Sequence, residues 1–138
     1  MKKHVSLLFA LLFVSVAAMA QDFEAPKRGA KIYAQSYSVD LDVNTEATFD
    51  LWIVRSRYAK KTNILAPTFI SSSGLSFEVV QDTQDQDHYT VTVSANDVAA
   101  GAYTSTVSAR STGTQKVTGT TLSFNVTPGK AVATKDGE

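Results

Sequence analysis

The chain has 138 residues, with 13 basic and 13 acidic side chains and no cysteine. A balance this even predicts neither a nucleic-acid binder nor a protein strongly drawn to a membrane surface. The lack of cysteine excludes disulfides, thiol nucleophiles and cysteine-rich metal sites, so the fold must be stabilised by its core alone.

The N-terminal segment over residues 1–20 is predicted to be a secretory signal peptide. Lys2 and Lys3 give it a basic start, an apolar run follows over 5–16, and Ala18-Met19-Ala20 matches a cleavage site of the small-x-small kind. The run is too short for a stable span, so we expect no transmembrane segment in the mature chain. This pattern predicts a bacterial protein that is periplasmic or secreted.

After the signal, residues 21–30 are polar with two breakers, Pro26 and Gly29, and are predicted to be a flexible lead-in. From residue 31 onward apolar and polar side chains alternate with a period of two, the pattern of half-buried strands. The alternation predicts seven strands and no helix, with strands over 31–43, 47–58, 64–70, 75–80, 89–95, 102–110 and 121–127. Pro67 lies within the third and cannot donate to a ladder, which predicts an edge strand. Residues 128–138 are predicted to be a disordered tail.

Polar residues on one face of most strands indicate sheets with one solvent-exposed face, as antiparallel sheets allow. The sequence therefore predicts an all-β domain over 31–127, an antiparallel two-sheet sandwich of the immunoglobulin-like kind with about seven strands. An up-and-down β-barrel is the alternative, because the same alternation would suit it.

The sixth strand carries the most specific pattern. Gly101 at a turn precedes Tyr103, and Val107 and Ala109 follow on alternate positions. This strand resembles the sixth strand of fibronectin type III and bacterial immunoglobulin-like domains. The resemblance implies that the Tyr103 hydroxyl bonds back to nearby backbone, so that Tyr103 and Gly101 have a structural role. It implies adhesion, scaffolding or recognition only by analogy, because a fold does not fix a function.

The candidate ligand-binding residues lie on the second predicted strand and are Trp52, Arg55 and Arg57. If Trp52 points away from the core, it could stack on a sugar ring or anchor a protein partner, although sandwich domains often bury one large tryptophan. Arg55 and Arg57 are expected to share a strand face, where they could bind a carboxylate or sulfate of an acidic polysaccharide.

The candidate metal ligands are Asp82, Asp85 and Asp87 in a polar connection, where several carboxylates could hold calcium. The spacing lacks the glycine and closing glutamate of a calcium loop, so a solubilising turn is the competing interpretation. His88 follows this connection and is predicted to be an exposed turn histidine. No serine motif matches it, so no catalytic residue is predicted.

These observations predict an exported, non-enzymatic sandwich that acts by protein binding, adhesion or structural assembly at the cell envelope or outside the cell. Its expected partner is another envelope or extracellular protein, or a polysaccharide, and no nucleic acid or cofactor is expected. A carbohydrate-binding module and a calcium-dependent adhesin are alternatives, and a hydrolase is a weaker one.

Overall fold

The structure is a computed structural model that describes residues 23–71 and 74–129. The predicted signal peptide, the first residues of the lead-in and most of the predicted tail lie outside these described residues. Within them the chain forms nine strands, β1 (Ala30–Ala34), β2 (Ser38–Asp42), β3 (Glu46–Arg55), β4 (Thr68–Ile70), β5 (Ser76–Gln81), β6 (His88–Ser94), β7 (Gly101–Ser108), β8 (Val117–Thr118) and β9 (Thr120–Thr127).

The strands form two sheets, of order β5-β6-β3-β1-β8 and β2-β9-β7-β4. Without β2 and β8, one sheet contains β1, β3, β6 and β5, and the other contains β4, β7 and β9. This is the strand arrangement of an immunoglobulin constant-type sandwich, in which strands A, B, E and D form one sheet and C, F and G the other. Pairing is antiparallel except that β1–β8 and β2–β9 are parallel. The predicted two-sheet β-sandwich is confirmed, with nine strands in the described residues rather than about seven and two parallel pairs, and the barrel alternative is not formed.

The core lies between the sheets and follows from the period-two alternation of the strands. Alternate residues of β3, β6, β7 and β9 point inward, and aromatic rings pack among them. Phe49 lies 6.0 Å from Phe124 between ring centroids, and Phe77 lies 5.4 Å from Phe124. Polar residues occupy the opposite positions on β9, where burial alternates along the whole strand.

The first predicted strand, over 31–43, is in fact two strands in different sheets. The chain leaves the five-stranded sheet after Ala34 and joins the four-stranded sheet at Ser38. Gln35 still donates its backbone N–H to the Asp50 carbonyl, whereas the Tyr37 carbonyl accepts from Ser123 in the other sheet. Ile32 and Val39 can therefore both point into the core, although their positions differ in parity.

Other predicted strand bounds change as well, and one short strand is new. The strand expected over 47–58 ends at Arg55, and a 3-10 turn over Arg57–Ala59 follows it. The short strand β8, which pairs with β1, was not predicted. The strand expected over 64–70 is shortened to β4, so Pro67 precedes the strand instead of lying within it. The edge position is confirmed, because β4 is the last strand of its sheet. No helix in the described part of the chain has the length and hydropathy needed to cross a membrane.

Candidate functional site

A row of aromatic and imidazole side chains crosses the outer face of the five-stranded sheet. The register pairs Tyr33 of β1 with Trp52 of β3, and Trp52 with His88 of β6. The rings of Trp52 and His88 are nearly parallel, with centroids 5.4 Å apart and an interplanar angle of 12°. This aromatic row is therefore built by cross-strand pairing, at the positions of β3 that alternate with the core residues.

The lead-in covers this row. Phe23 stacks on Tyr33 with ring centroids 4.6 Å apart and contacts Trp52 at 5.1 Å. The Tyr33 hydroxyl donates to the Glu24 carbonyl at 2.8 Å. Trp52 is consequently only 4% exposed, yet it lies outside the core between the sheets. The sequence left open whether Trp52 packs in the core or lies on the opposite face. Its indole lies on the opposite, outer face of the sheet, yet it is buried there.

His88 lies between two carboxylates and is not the exposed turn residue that the sequence predicted. Its Nε2 lies 2.8 Å from Asp50 Oδ1, its Nδ1 lies 3.0 Å from Asp82 Oδ2, and the residue is 8% exposed. Burial lowers the pKa of His88, but the hydrogen bonds and charges of Asp82 and Asp50 outweigh it and raise that pKa. The hydrogen bond from His88 lowers the pKa of Asp82.

This arrangement is unsuited to nucleophilic catalysis. A general base needs one ring nitrogen free to accept a proton from a hydroxyl, and both nitrogens of His88 face carboxylates. The Thr90 hydroxyl donates to the Asp50 carboxylate at 3.4 Å and not to His88. The His88 network is therefore a buried electrostatic clamp that links β3, β6 and the end of β5.

Arg55 and Arg57 do not share a strand face, contrary to the sequence expectation. Arg55 is buried, and its Nε donates to both carboxylate oxygens of Asp87 at 3.0 and 2.9 Å. Its Nη1 donates to the carbonyls of Ala59 and Thr62. Arg55 thus stabilises the 3-10 turn and is unavailable to a ligand.

Arg57 is exposed because it lies in the 3-10 turn rather than on β3. Its guanidinium carbon lies 5.0 Å from the centre of the Tyr58 ring, and its Nη2 donates to the Tyr58 hydroxyl at 2.9 Å. Arg57 therefore remains a candidate ligand-binding residue, with Tyr58 in place of Trp52 as its aromatic neighbour.

The three candidate metal ligands are used separately. Asp82 bonds His88, Asp87 pairs with Arg55, and the Asp85 carboxylate accepts from the backbone N–H of Asp87 at 2.9 Å. Among residues 23–71 and 74–129, no group of three or more His, Cys, Asp or Glu side chains is placed to hold a metal ion. The structure thus does not bring the three carboxylates to one point, and a calcium role stays an untested prediction.

Tyr103 has the contact that the resemblance implies. Its hydroxyl donates to the Ala99 carbonyl at 2.6 Å, which closes the turn before β7. Gly101 lies beneath the ring, and a methyl group at its Cα would come within 3.7 Å of the hydroxyl oxygen. The Tyr103 hydrogen bond thus forms the corner that the resemblance implies, and a structural role for Gly101 stays a prediction.

Sequence reasoning missed Asp50 and the basic part of the lead-in. Asp50 is a carboxylate within the apolar run Phe49–Ile53 and is 3% exposed, and a buried charge of this kind requires a partner. The need of Asp50 for a partner could therefore have predicted its contact with His88. Lys27 and Arg28 lie in the segment predicted to be a flexible lead-in, and together with Arg57 and Tyr58 they line a cavity of about 500 Å³.

Comparison with known proteins finds no matching family model and no matching curated protein. Among solved structures the chain is similar to parts of the S-layer protein SbsC. It is 28% identical to a crystal structure of SbsC domains 4 and 5, with a TM-score of 0.47, covering 70% of this chain and 50% of that one. For a structure of SbsC domains 4–9 the values are 28% identity, a TM-score of 0.49, and coverage of 71% and 14%. This chain thus spans at most half the length of these two SbsC structures.

Proposed function

We propose that this protein is an exported, non-enzymatic immunoglobulin-like or fibronectin type III-like domain that binds another envelope or extracellular protein by strand addition. The observation that carries the proposal is β5 (Ser76–Gln81), a six-residue strand at the open edge of the five-stranded sheet. Strand edges of this length present unpaired backbone donors and acceptors, which an extended segment of a partner can satisfy.

The ladder shows which groups of β5 face outward. Asp82 donates its N–H to the His88 carbonyl at 2.9 Å, and β5 pairs with β6 in the same register from Ser76 to Gln81. Antiparallel residues alternate between bonded and non-bonded pairs, so even-numbered residues of β5 bond to β6. The backbone groups of Phe77, Val79 and Gln81 therefore point to the open edge.

The side chains along this edge suit an apolar partner strand. Val80 is 54% exposed on the outer face, and Phe77 and Val79 are only half-buried on the inner face. Phe77 also stacks on Phe69 of β4 with centroids 4.2 Å apart, so the edges of both sheets lie along the same side of the sandwich. A partner segment with alternating apolar residues would extend this surface.

Val79→Pro tests the proposal because it removes an outward N–H without removing a donor to β6. Val79→Thr is the matched control, since it keeps the N–H and a β-branched shape. A photo-crosslinking amino acid at Val80, in the full chain expressed in its native cells, should give a discrete protein adduct. We expect the adduct to persist with Val79→Thr and to be lost with Val79→Pro while the melting temperature holds.

Three results would contradict the proposal. One is the absence of any protein adduct at Val80. Another is an equal adduct from a crosslinker at the exposed Lys60, which lies outside β5. The third is an adduct that survives Val79→Pro in a folded variant, because strand addition requires the outward donor. The export part of the proposal is tested by sequencing the mature protein, which should begin at Gln21.

A further inference from the structure

A second surface, at the end of the sandwich where β3 finishes, contains a cavity that the strand-addition proposal does not use. It lies between the lead-in and the 3-10 turn and has a volume of about 500 Å³. Its lining is formed by Ala25, Pro26, Lys27, Arg28, Arg57 and Tyr58. The volume is in the range of small-ligand sites, and three of the six lining side chains are cationic.

The lead-in is fixed on both sides of this cavity. At one side Phe23 and Glu24 bind the aromatic row. At the other, Gly29 donates to Gln115 Oε1 at 3.1 Å, and its carbonyl accepts from Ser56 at 2.8 Å. Gly29 has a φ of +66°, and a Cβ there would lie 2.1 Å from the Lys116 carbonyl oxygen, so a glycine is required.

Within the described part of the chain, the cations of the cavity have no acidic partner. None of Lys27, Arg28 and Arg57 forms an ion pair within residues 23–71 and 74–129, where each of the three is exposed. The nearby acid Asp87 is already paired with Arg55. Arg28 and Tyr58 also line an adjoining cavity of about 260 Å³ with the Gln115 side chain, which adds an amide donor and acceptor.

We propose that this cationic cavity binds an acidic saccharide, through carboxylate or sulfate groups held by Arg28, Arg57 and Lys27. A guanidinium offers a planar pair of N–H donors that matches a carboxylate or sulfate. The Tyr58 ring is 55% exposed beside Arg57, and it gives the C–H face of a sugar ring an apolar surface.

Two other classes of anionic partner fit the surface less well. A membrane site would combine basic residues with apolar side chains that insert, and Tyr58 is the one large exposed aromatic or aliphatic residue that lines the cavity. A nucleic-acid site would need an extended basic surface on a basic domain, whereas the chain has a formal net charge of zero. The concave, locally charged shape favours a short saccharide.

The test is calorimetric titration of the full mature chain with an oligogalacturonate and with a sulfated heparin oligosaccharide, using a neutral oligosaccharide as control. We expect at least one acidic oligosaccharide to bind and the neutral one not to bind. Arg57→Gln and Arg28→Gln should each weaken binding about tenfold, as expected for loss of one charge-assisted contact at an exposed site. Tyr58→Ala should weaken it several-fold and Tyr58→Phe should not.

Arg110→Gln is the matched control, because it removes one positive charge from the same end of the sandwich but lies outside this cavity. We expect it to change the affinity less than twofold. An effect equal to that of Arg57→Gln would overturn the proposal in favour of diffuse attraction. Binding of phosphatidylglycerol vesicles or single-stranded DNA in preference to both acidic oligosaccharides would also overturn it, as would no binding of either oligosaccharide. None of these outcomes bears on the β5 experiment.

Discussion

Arg55→Met should be one of the most damaging single changes in this domain. Methionine keeps the length of the aliphatic stem but removes every donor of the guanidinium. The change leaves Asp87 without its cation and removes the guanidinium N–H groups from the carbonyls of Ala59 and Thr62, of which Ala59 still accepts from the backbone N–H of Thr62. The 3-10 turn would then lose its attachment to the end of β3.

The expected loss follows from the burial of the pair. Removing one partner of a buried ion pair costs roughly 3–5 kcal/mol, and water can recover part of this where a partner is accessible. The Arg55 side chain is 7% exposed and that of Asp87 is 25% exposed. We therefore expect a loss of about 3 kcal/mol in the free energy of unfolding, or roughly 12–24 °C in melting temperature for a domain of this size.

Urea denaturation followed by the fluorescence of Trp52 would measure this loss. Arg57→Met is the matched control, because the same substitution two residues later removes an exposed guanidinium and should cost no more than about 0.5 kcal/mol. The reasoning would be refuted if Arg55→Met lay within about 1 kcal/mol of the wild type. Equal losses in the two variants would refute it as well.

Three further outcomes are expected. Tyr103→Phe removes the hydroxyl bonded to Ala99 and should cost about 1 kcal/mol in urea denaturation, and no measurable loss would contradict the corner. Because the pKa of His88 is raised above its ordinary 6.5, the stability it contributes is complete below that pH and lost as pH rises through the folded-state pKa. Because the pKa of Asp82 is lowered from 3.8, its contribution is present above that pH and lost as pH falls further. Unfolding titrations should therefore show highest stability in weakly acidic solution, and His88→Gln should flatten the alkaline limb; a limb unchanged by that variant would argue against the clamp. Since the acidic connection between β5 and β6 uses its carboxylates internally, calcium and chelator should leave the melting temperature unchanged, and a rise with calcium would restore the adhesin alternative.

The strands of the central ladder could be predicted because local pattern and tertiary burial agree there. Leu122, Phe124 and Val126 alternate with polar residues and lie in β9 with their apolar side inward. The change of sheet between β1 and β2 was not predicted, because a single alternating pattern over 31–43 predicts one strand. Ile32 and Val39 differ in parity, and that shift marks the change of sheet.

The site was harder to predict because its contacts join residues far apart in sequence. Asp50 and His88 are separated by 38 positions, and pairing of β3 with β6 places them in neighbouring rows. Arg55 was predicted to be available to a ligand because alternation does not show which polar side chains are buried. The role proposed for Lys27 and Arg28 depends on the hydrogen bond from Gly29 to Gln115, which joins positions 86 residues apart.

The parallel pairing of β2 with β9 has a mechanical consequence. β2 runs parallel to β9, and the pairing extends from Ser38 with Ser123 to Asp42 with Thr127. A pull on the chain before β1, opposed by a pull after β9, would draw these two strands past each other along their length. Their ladder bonds would be loaded together in shear rather than opened one at a time. β2 and the last strand, β9, thus form a clasp that resists tension applied through the ends of the chain.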